Sequence, residues 1–422
     1  MAEAKVWIVG AGLAGLATAR RLAQCQIPFG ILEASDGVGG RVRTDVVDGF
    51  RLDRGFQIYL DAYPEGRRVL DLPALNLKPF TRGVKIRLQG KFQTLVHPRE
   101  GMLETLRGGL GSIGTFRDKL RLLRLAYELT RGKLDEQLAK PDGLTLDYLR
   151  WHGKFTPNMI ERFFRPFLRG VFLEPNLTTS SRMFRFVFRM FVRGNATVPA
   201  LGMQQIPEQI ARSLPADSIR FSTRVQGIEP NRIMLQSGER IDAKAVVVAT
   251  EGPEANRLLG ESSLPQVRSC GTITLYFAAN HPPESRPILV LNGEGQGIVN
   301  NLVVMSAASA EYAPAGQSLV SVSIVGIPDR TDAELDAQVR EELRGWYGEG
   351  VTGWRLLRID RIPHALPEQP TDWLEPARRS VRLRPGLYVC GDHRDLASID
   401  GALTSGFRCA QELLEDLHTK RI

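Results

Sequence analysis

Residues 5–10, KVWIVG, form a short apolar run closed by glycine, which predicts a buried strand. Residues 14–24 follow as a helix whose small side chains suit close packing on a sheet, and 28–33, PFGILE, repeat the buried-strand pattern. A glycine-rich turn, VGGRVRT, occupies 38–44, and the polar-to-apolar alternation through 46–60 predicts paired strands. From about 100 to 193 the pattern is helical, rich in Leu, Phe and Arg. Strands return between 194 and 250: IRFSTRVQGIEP as one strand, IMLQSGERI as a hairpin, and AVVVAT as a buried run. Residues 270–330 are again strand-rich, 331–346 predict an acidic amphipathic helix, and LYVC at 387–390 is a last buried strand before a closing helix. Four prolines from Pro363 to Pro376 predict an ordered loop.

Strands alternating with helices at both ends of the chain predict an α/β protein. A Rossmann-like domain would be assembled from the discontinuous segments 1–80, 194–265 and 380–422. Residues 81–193 and 266–379 would form a mixed α+β substrate-binding domain, with a basic helical subdomain at about 101–193. The chain is 422 residues long and 43% hydrophobic, enough for more than one core.

Cys25, Cys270, Cys390 and Cys409 are far apart in sequence and form no CxxC or Cys/His cluster, so each is expected to be a small buried hydrophobe and no metal site is expected. The apolar stretch 6–19 is interrupted by three glycines and has no basic segment before it, which is not the pattern of a secretory leader; a cytoplasmic location is expected. No apolar run is long enough to span a bilayer. The formal charge is +8, and residues 101–200 alone hold 17 Lys/Arg against 9 Asp/Glu, a difference of +8. The remainder is therefore balanced, which argues against a nucleic-acid surface and for one local basic feature.

Gly10, Gly12 and Gly15 form GxGxxG between a strand and a helix. Gly10 permits the tight turn, Gly12 the approach of a pyrophosphate, and Gly15 close packing of helix on sheet, while the helix N-terminus offers free N–H groups to an anion. Alone, the pattern is common in ordinary turns. Glu33 changes that, because it ends the second strand about 20 residues on, where a carboxylate accepts ribose hydroxyls. The choice left is between NAD and FAD. Gly39, Gly40 and Arg41 favour FAD, since a second glycine turn lets another loop touch the pyrophosphate and Arg41 offsets its charge.

VGAGLAGLATARRL, LEASDGVGGRVRT, FRLDRGFQIYL, VPALGMQQIPEQIA, STRVQGIEP, AVVVAT and GLYVCGDHRDLASIDGALTSG occur in this order. The chain thereby resembles the flavin-dependent amine oxidase superfamily, which includes protoporphyrinogen oxidases, carotenoid desaturases, and monoamine and polyamine oxidases. The resemblance implies FAD and removal of a hydride equivalent from a small organic, apolar substrate. It carries Ala11, Leu13, Ala14 and Ala34 into the cofactor-contacting set with the glycines and Glu33. It further implies that Val225 holds adenine through its backbone, that Gly391 and Asp392 hold the ribityl and pyrophosphate region, and that Gly401 and Ala402 set a helix N-terminus beside the flavin ring. Gln57 and Ile58 match positions facing that ring. The lysine and aromatic sandwich of amine oxidases have no counterpart that can be placed: Lys244 lies in the wrong segment and Tyr388 reads as core. No catalytic residue is assigned. His364 and Trp373 lie in a loop that in this family passes near the flavin, although a solvated histidine and a packing tryptophan are the commoner readings.

Two basic helices stand apart from these motifs. Arg182, Arg185, Arg189 and Arg193 recur at helical spacing beside Phe184, Val187, Phe188 and Phe191, and Arg117, Arg121, Arg124 and Arg131 do so earlier. Such a stripe is usually a solvated basic face over a buried apolar one; the alternative is peripheral contact with a membrane surface. Two other readings of the whole chain remain at this point: an NAD-dependent dehydrogenase lacking flavin, for which GGRVRT and GD would be superfluous, and a non-catalytic lipid-binding protein on the same fold, whose nucleotide motifs would be degraded where these are intact.

Overall fold

Strand β1 (Val6–Val9) is buried along its whole length, so it needs a neighbour on each side and a layer on each face. In the computed structural model, which describes residues 5–96, 113–260, 264–265 and 268–422, it has them. It pairs in parallel with β2 (Phe29–Leu32) on one side and with Ala245–Val248 on the other. Leu387–Val389 extends the parallel set, and Ile219–Arg220 and Arg382–Arg384 form the two edges of this six-stranded sheet. One α/β sheet is thus drawn from segments hundreds of residues apart.

Helix α1 (Leu13–Gln24) and the closing helix Ile399–His418 pack on each other, and small residues make that packing close. A Cβ at Gly406 would stand 2.2 Å from the Ala14 carbonyl oxygen, and Thr18 Oγ1 donates to the Gly406 carbonyl at 2.9 Å. Each helix follows a parallel strand of the sheet, so both N-termini lie at the carboxyl ends of the strands, where ligands of open α/β sheets bind. Cys390 and Cys409 meet beside this seam, where burial first, and then the neighbouring thiol, raises the Cys409 thiol well above its ordinary value. Cys25 and Cys270 are only half-buried, because they sit at a helix end and near the start of a strand, which corrects the expectation for those two.

The second large sheet has seven strands, in the order 355–367, 269–279, 318–325, 301–304, 289–292, 83–88, 91–96. Ile273, Leu275 and Phe277 face Leu335, Val339 and Leu343 of the helix Asp332–Tyr347. The alternate residues Tyr276 and Ala278 face the core shared with the six-stranded sheet, as the two-residue period of a strand requires. At that seam Tyr276 donates to the Asp53 carbonyl at 2.6 Å and Tyr312 donates to Asp53 Oδ2 at 2.8 Å.

Three expectations are corrected here. The proline-rich stretch begins as strand, since Arg355–Pro367 runs through Pro363 and Pro367; it is the sheet's edge, with a register shift opposite Cys270 and Thr272, and an edge or bulge tolerates a residue without an N–H. His364 therefore lies on an exposed edge strand and not in a loop. IRFSTRVQGIEP is two strands, Ile219–Arg220 and Val225–Glu229, because Ser222 turns into the left-handed region at φ 50° and the chain changes sheets there.

The third concerns the stripe on Ser181–Arg193. Arg182, Arg185 and Arg189 are buried at 6%, 3% and 2% exposure, so they form neither a solvated nor a membrane-facing surface; Arg193 alone of the four is exposed. Their guanidinium groups satisfy backbone carbonyls left open at the ends of neighbouring segments. Arg189 donates to Leu129 O at 2.6 Å, Gly132 O at 2.7 Å and Arg131 O at 3.1 Å, at the end of the helix Phe116–Thr130. Arg185 donates to Pro141 O and Lys140 O, and Arg182 to Leu374 O with an ion pair to Glu375.

Candidate functional site

The site is built where β1 turns into α1. Gly10 has φ 103°, and a Cβ there would press to 2.9 Å from Ala249 O on the neighbouring strand; a Cβ at Gly15 would stand 2.1 Å from Gly10 O. These two glycines are required by close packing. Gly12 differs, because a Cβ there would meet nothing within 4 Å. It pairs with Gly39 as an isolated bridge, and Gly39 N donates to Ala11 O at 2.9 Å, so the second glycine turn lies against the first. Gly39 and Gly40 both have positive φ, 118° and 59°, which sets them in backbone conformations other residues avoid. Helix α1 has no side-chain cap and no acid in its first turn, leaving its N–H groups and positive end for an anion. Leu13 and Ala14 lie buried within that turn.

Glu33 is 8% exposed and accepts hydrogen bonds from Ala11 N at 2.7 Å and from Ser35 N and Oγ at 2.8 and 2.7 Å. It thus fixes the glycine turn as well as ending β2; Ala34 beside it is exposed. Thr223 N donates to Glu33 O at 2.8 Å, which brings the Val225 strand to the same corner. Val225 is buried, and its carbonyl accepts from Arg257 at 3.2 Å.

The C-terminal segment closes on this corner through Arg41, whose Nη2 lies 2.7 Å from Asp392 Oδ1 while Nη1 donates to Ala365 O at 3.0 Å. Burial opposes the charge of Arg41, but Asp392 and Glu251 outweigh it and raise its value. Gln57 Nε2 donates to the carbonyls of Arg41 and Arg54 at 2.8 and 2.9 Å, so its amide braces the glycine turn, and Ile58 beside it is half-buried. Gly391 N donates to Ser405 Oγ at 2.9 Å. Gly401 is forced by contact, since a Cβ would stand 1.8 Å from Leu396 O, and its N–H is capped by Ser398 Oγ at 2.9 Å; Ala402 follows it, half-buried.

Sequence reasoning passed over His393, Ser405 and Asp400. His393 is fully buried with no partner for either ring nitrogen among the described residues. Burial lowers it to about 4 despite the charge of Asp392, so the imidazole is neutral at pH 7. Its place directly after GD was the available signal.

Asp400 is buried at the start of the closing helix and accepts from Glu65 N at 2.8 Å and Gly66 N at 3.0 Å. Burial pushes it up to about 7, with the two amides opposing and the charges of Glu65 and Asp395 adding. A folded value above the ordinary 3.8 means that its contribution to stability is complete below about pH 4 and is lost as pH rises through 7. Asp400→Asn keeps the accepting oxygen and stays neutral. It is expected to be more stable than the parent by about 2 kcal/mol near pH 8, a gap that closes towards pH 4 in urea titrations; a gap that widens in acid would refute this.

Residues 13–414 match the model of the flavin containing amine oxidoreductases. The chain belongs to that family. It is similar to the 15-cis-phytoene desaturase of Capsicum annuum, 22% identical over 98% of this chain and 78% of that protein. Among solved structures it resembles an oxidoreductase from Methanosarcina mazei with a TM-score of 0.74 at 16% identity, covering 97% of this chain and all of that one. It also resembles putrescine oxidase bound to putrescine, with a TM-score of 0.69 at 16% identity over 98% and 99% of the two chains. As a member of this flavin-containing family, the protein is an FAD-dependent oxidoreductase on the fold of those enzymes.

The residues present fit FAD. The uncapped helix start and the open space beyond Gly12 suit a diphosphate, and the orphaned nitrogens of buried His393 lack a polar partner that a bound cofactor or its waters would give. Two other positions named from the sequence are buried. Trp373 is buried with the Arg379 guanidinium 3.9 Å from its ring, a packing role. Tyr388 is core, donating to Asp416 Oδ2 at 2.6 Å. Among the described residues no helix is long and apolar enough to cross a membrane.

Proposed function

We propose that this protein removes a hydride equivalent from carbon of an apolar organic substrate. Bound FAD supplies the two-electron acceptor. The turn from Gly10 to Gly15, with Ala11, Leu13 and Ala14, seats the diphosphate; Glu33 with Ala34 takes the adenosine ribose, and the Val225 backbone takes the adenine. Gly39 and Gly40 approach the diphosphate from the second turn, and Arg41, held in place by Asp392, offsets its charge. Gly391 and Asp392 take the ribityl chain. Gly401 and Ala402 would set the start of the closing helix, where partial positive charge gathers, beside the ring. Gln57 and Ile58 would face the ring, and Phe56 beside them packs edge-on against Phe80 at 6.3 Å.

The observation that carries this reading is the closure of two glycine turns and the Gly391–Asp392 corner on one open cradle, tied by Arg41 and Asp392. The apolar substrate class is supported by the likeness to phytoene desaturase along 98% of the chain. The purified protein is expected to be yellow. Glu33→Ala, which frees Ala11 N and removes the ribose acceptor, is expected to weaken flavin retention about tenfold or more. Anaerobic titration with amines, porphyrinogens and carotenes should bleach the flavin with an apolar polyene or macrocycle and not with amines. Bleaching by amines alone would overturn the substrate class, and a colourless protein that cannot be reconstituted would overturn the site.

A further inference from the structure

The helix Phe116–Thr130 has two apolar faces, and only one of them is core. Leu125 and Leu129 are buried at 2% and 0% exposure. Phe116, Leu120, Leu123 and Tyr127 are 71%, 51%, 63% and 62% exposed. At about 100° per residue these four fall within an arc of about 60°, on the side opposite the buried leucines. Ten large apolar side chains are exposed among the described residues, and five gather here, because Trp151, 76% exposed, lies alongside. His152 Nε2 sits 2.8 Å from Glu128 Oε1, and Arg124 donates to His152 O, which fastens the Trp151 segment to this helix. Scattered apolar residues need no explanation, whereas a stripe of this kind does.

We infer that this outer face docks the protein on the surface of an anionic lipid bilayer. Arg117, Arg124, Arg131, Arg150 and Lys154 are exposed around the stripe, and the Arg131 guanidinium lies 5.1 Å from the Tyr127 ring. The leucines and Phe116 enter the acyl boundary, the Trp151 and Tyr127 rings sit at headgroup depth, and the cations meet lipid phosphates and carboxylates. A second copy of this chain is the less suitable occupant: a two-fold contact would set this basic-rimmed face against the same face of the partner. A stable dimer also buries about 800 Å² per partner over 20 or more residues, beyond a one-helix stripe. The inference is independent of the substrate reading and differs from the earlier sequence expectation in using only the first basic helix.

The test uses the flavoprotein and vesicles of phosphatidylcholine, with and without about one third phosphatidylserine. Co-sedimentation is expected with the anionic vesicles, weakening as salt is added. Leu120→Gln/Leu123→Gln and, separately, Trp151→Gln should each lower the partition about tenfold, with far-UV circular dichroism unchanged because the side chains are exposed. Arg117→Gln/Arg131→Gln should weaken binding and flatten its salt dependence. No binding to anionic vesicles, equal binding to neutral ones, or binding unaffected by the leucine pair would overturn the inference. So would a dimer in sedimentation velocity that Leu123→Glu dissociates. Flavin absorbance read on the same samples separates the two proposals, since vesicle binding by flavin-free protein would sink the cofactor site and leave this surface standing.

Discussion

Gly406→Val is expected to lower the free energy of unfolding by about 3 kcal/mol or more and to release most of the flavin. The cause is backbone against backbone. A side chain at Gly406 begins 2.2 Å from the Ala14 carbonyl oxygen and 3.0 Å from the Ala17 Cβ, so no rotamer relieves the contact and the two helices must part. Their separation also breaks the bond from Thr18 to the Gly406 carbonyl. Both helix starts would then shift against the strands that aim them, and geometry at the proposed diphosphate seat is sensitive to displacements of about 1 Å. Urea titration and flavin absorbance after gel filtration measure the two effects. Gly350→Ala, where an added Cβ meets nothing within 4 Å, serves as the control and should change stability by less than about 0.5 kcal/mol. Wild-type stability with full flavin in the valine variant would show that the helices do not depend on this approach.

Arg189→Met should cost about 3 kcal/mol, although methionine matches the aliphatic part of the side chain. The loss comes from Leu129, Arg131 and Gly132, whose carbonyls would face a buried thioether in place of a guanidinium. Burial lowers the Arg189 value, with the like charge of Arg193 adding and Glu136 opposing. The negative end of the helix Phe116–Thr130 offsets the burial of this cation. Arg193→Met, one turn further along the same stripe but exposed, is expected to change stability by less than about 0.5 kcal/mol. Equal effects in the two variants would mean that Arg189 contributes only as a solvated charge.

The contrast between Arg189 and Arg193 marks how far the amino-acid pattern could be read. Helical spacing shows that four arginines share one face, but not whether that face meets water or the open carbonyls of another helix. The opening strand, helix and glycine turns were legible because backbone conformation dictates them locally: only glycine suits φ 103° beside Ala249 or the contact at Gly15. Glu33 was legible through its spacing. Asp400 and His393 were not, since their unusual ionisation arises from burial by segments far away in the chain. The edge strand through Pro363 was hidden for a related reason: prolines argue against a strand until its outer side is known to lack a neighbour.

The partner of β1 on its far side, Ala245–Val248, emerges from the ribosome about 240 residues later, which at translation speeds of about 5–20 residues per second is a delay of roughly 10 to 50 s. Throughout that interval this fully buried strand of the six-stranded sheet has one open edge. Nascent chains of this protein should therefore lean on holding chaperones early, and should become resistant to protease only once residues 387–418 have threaded home.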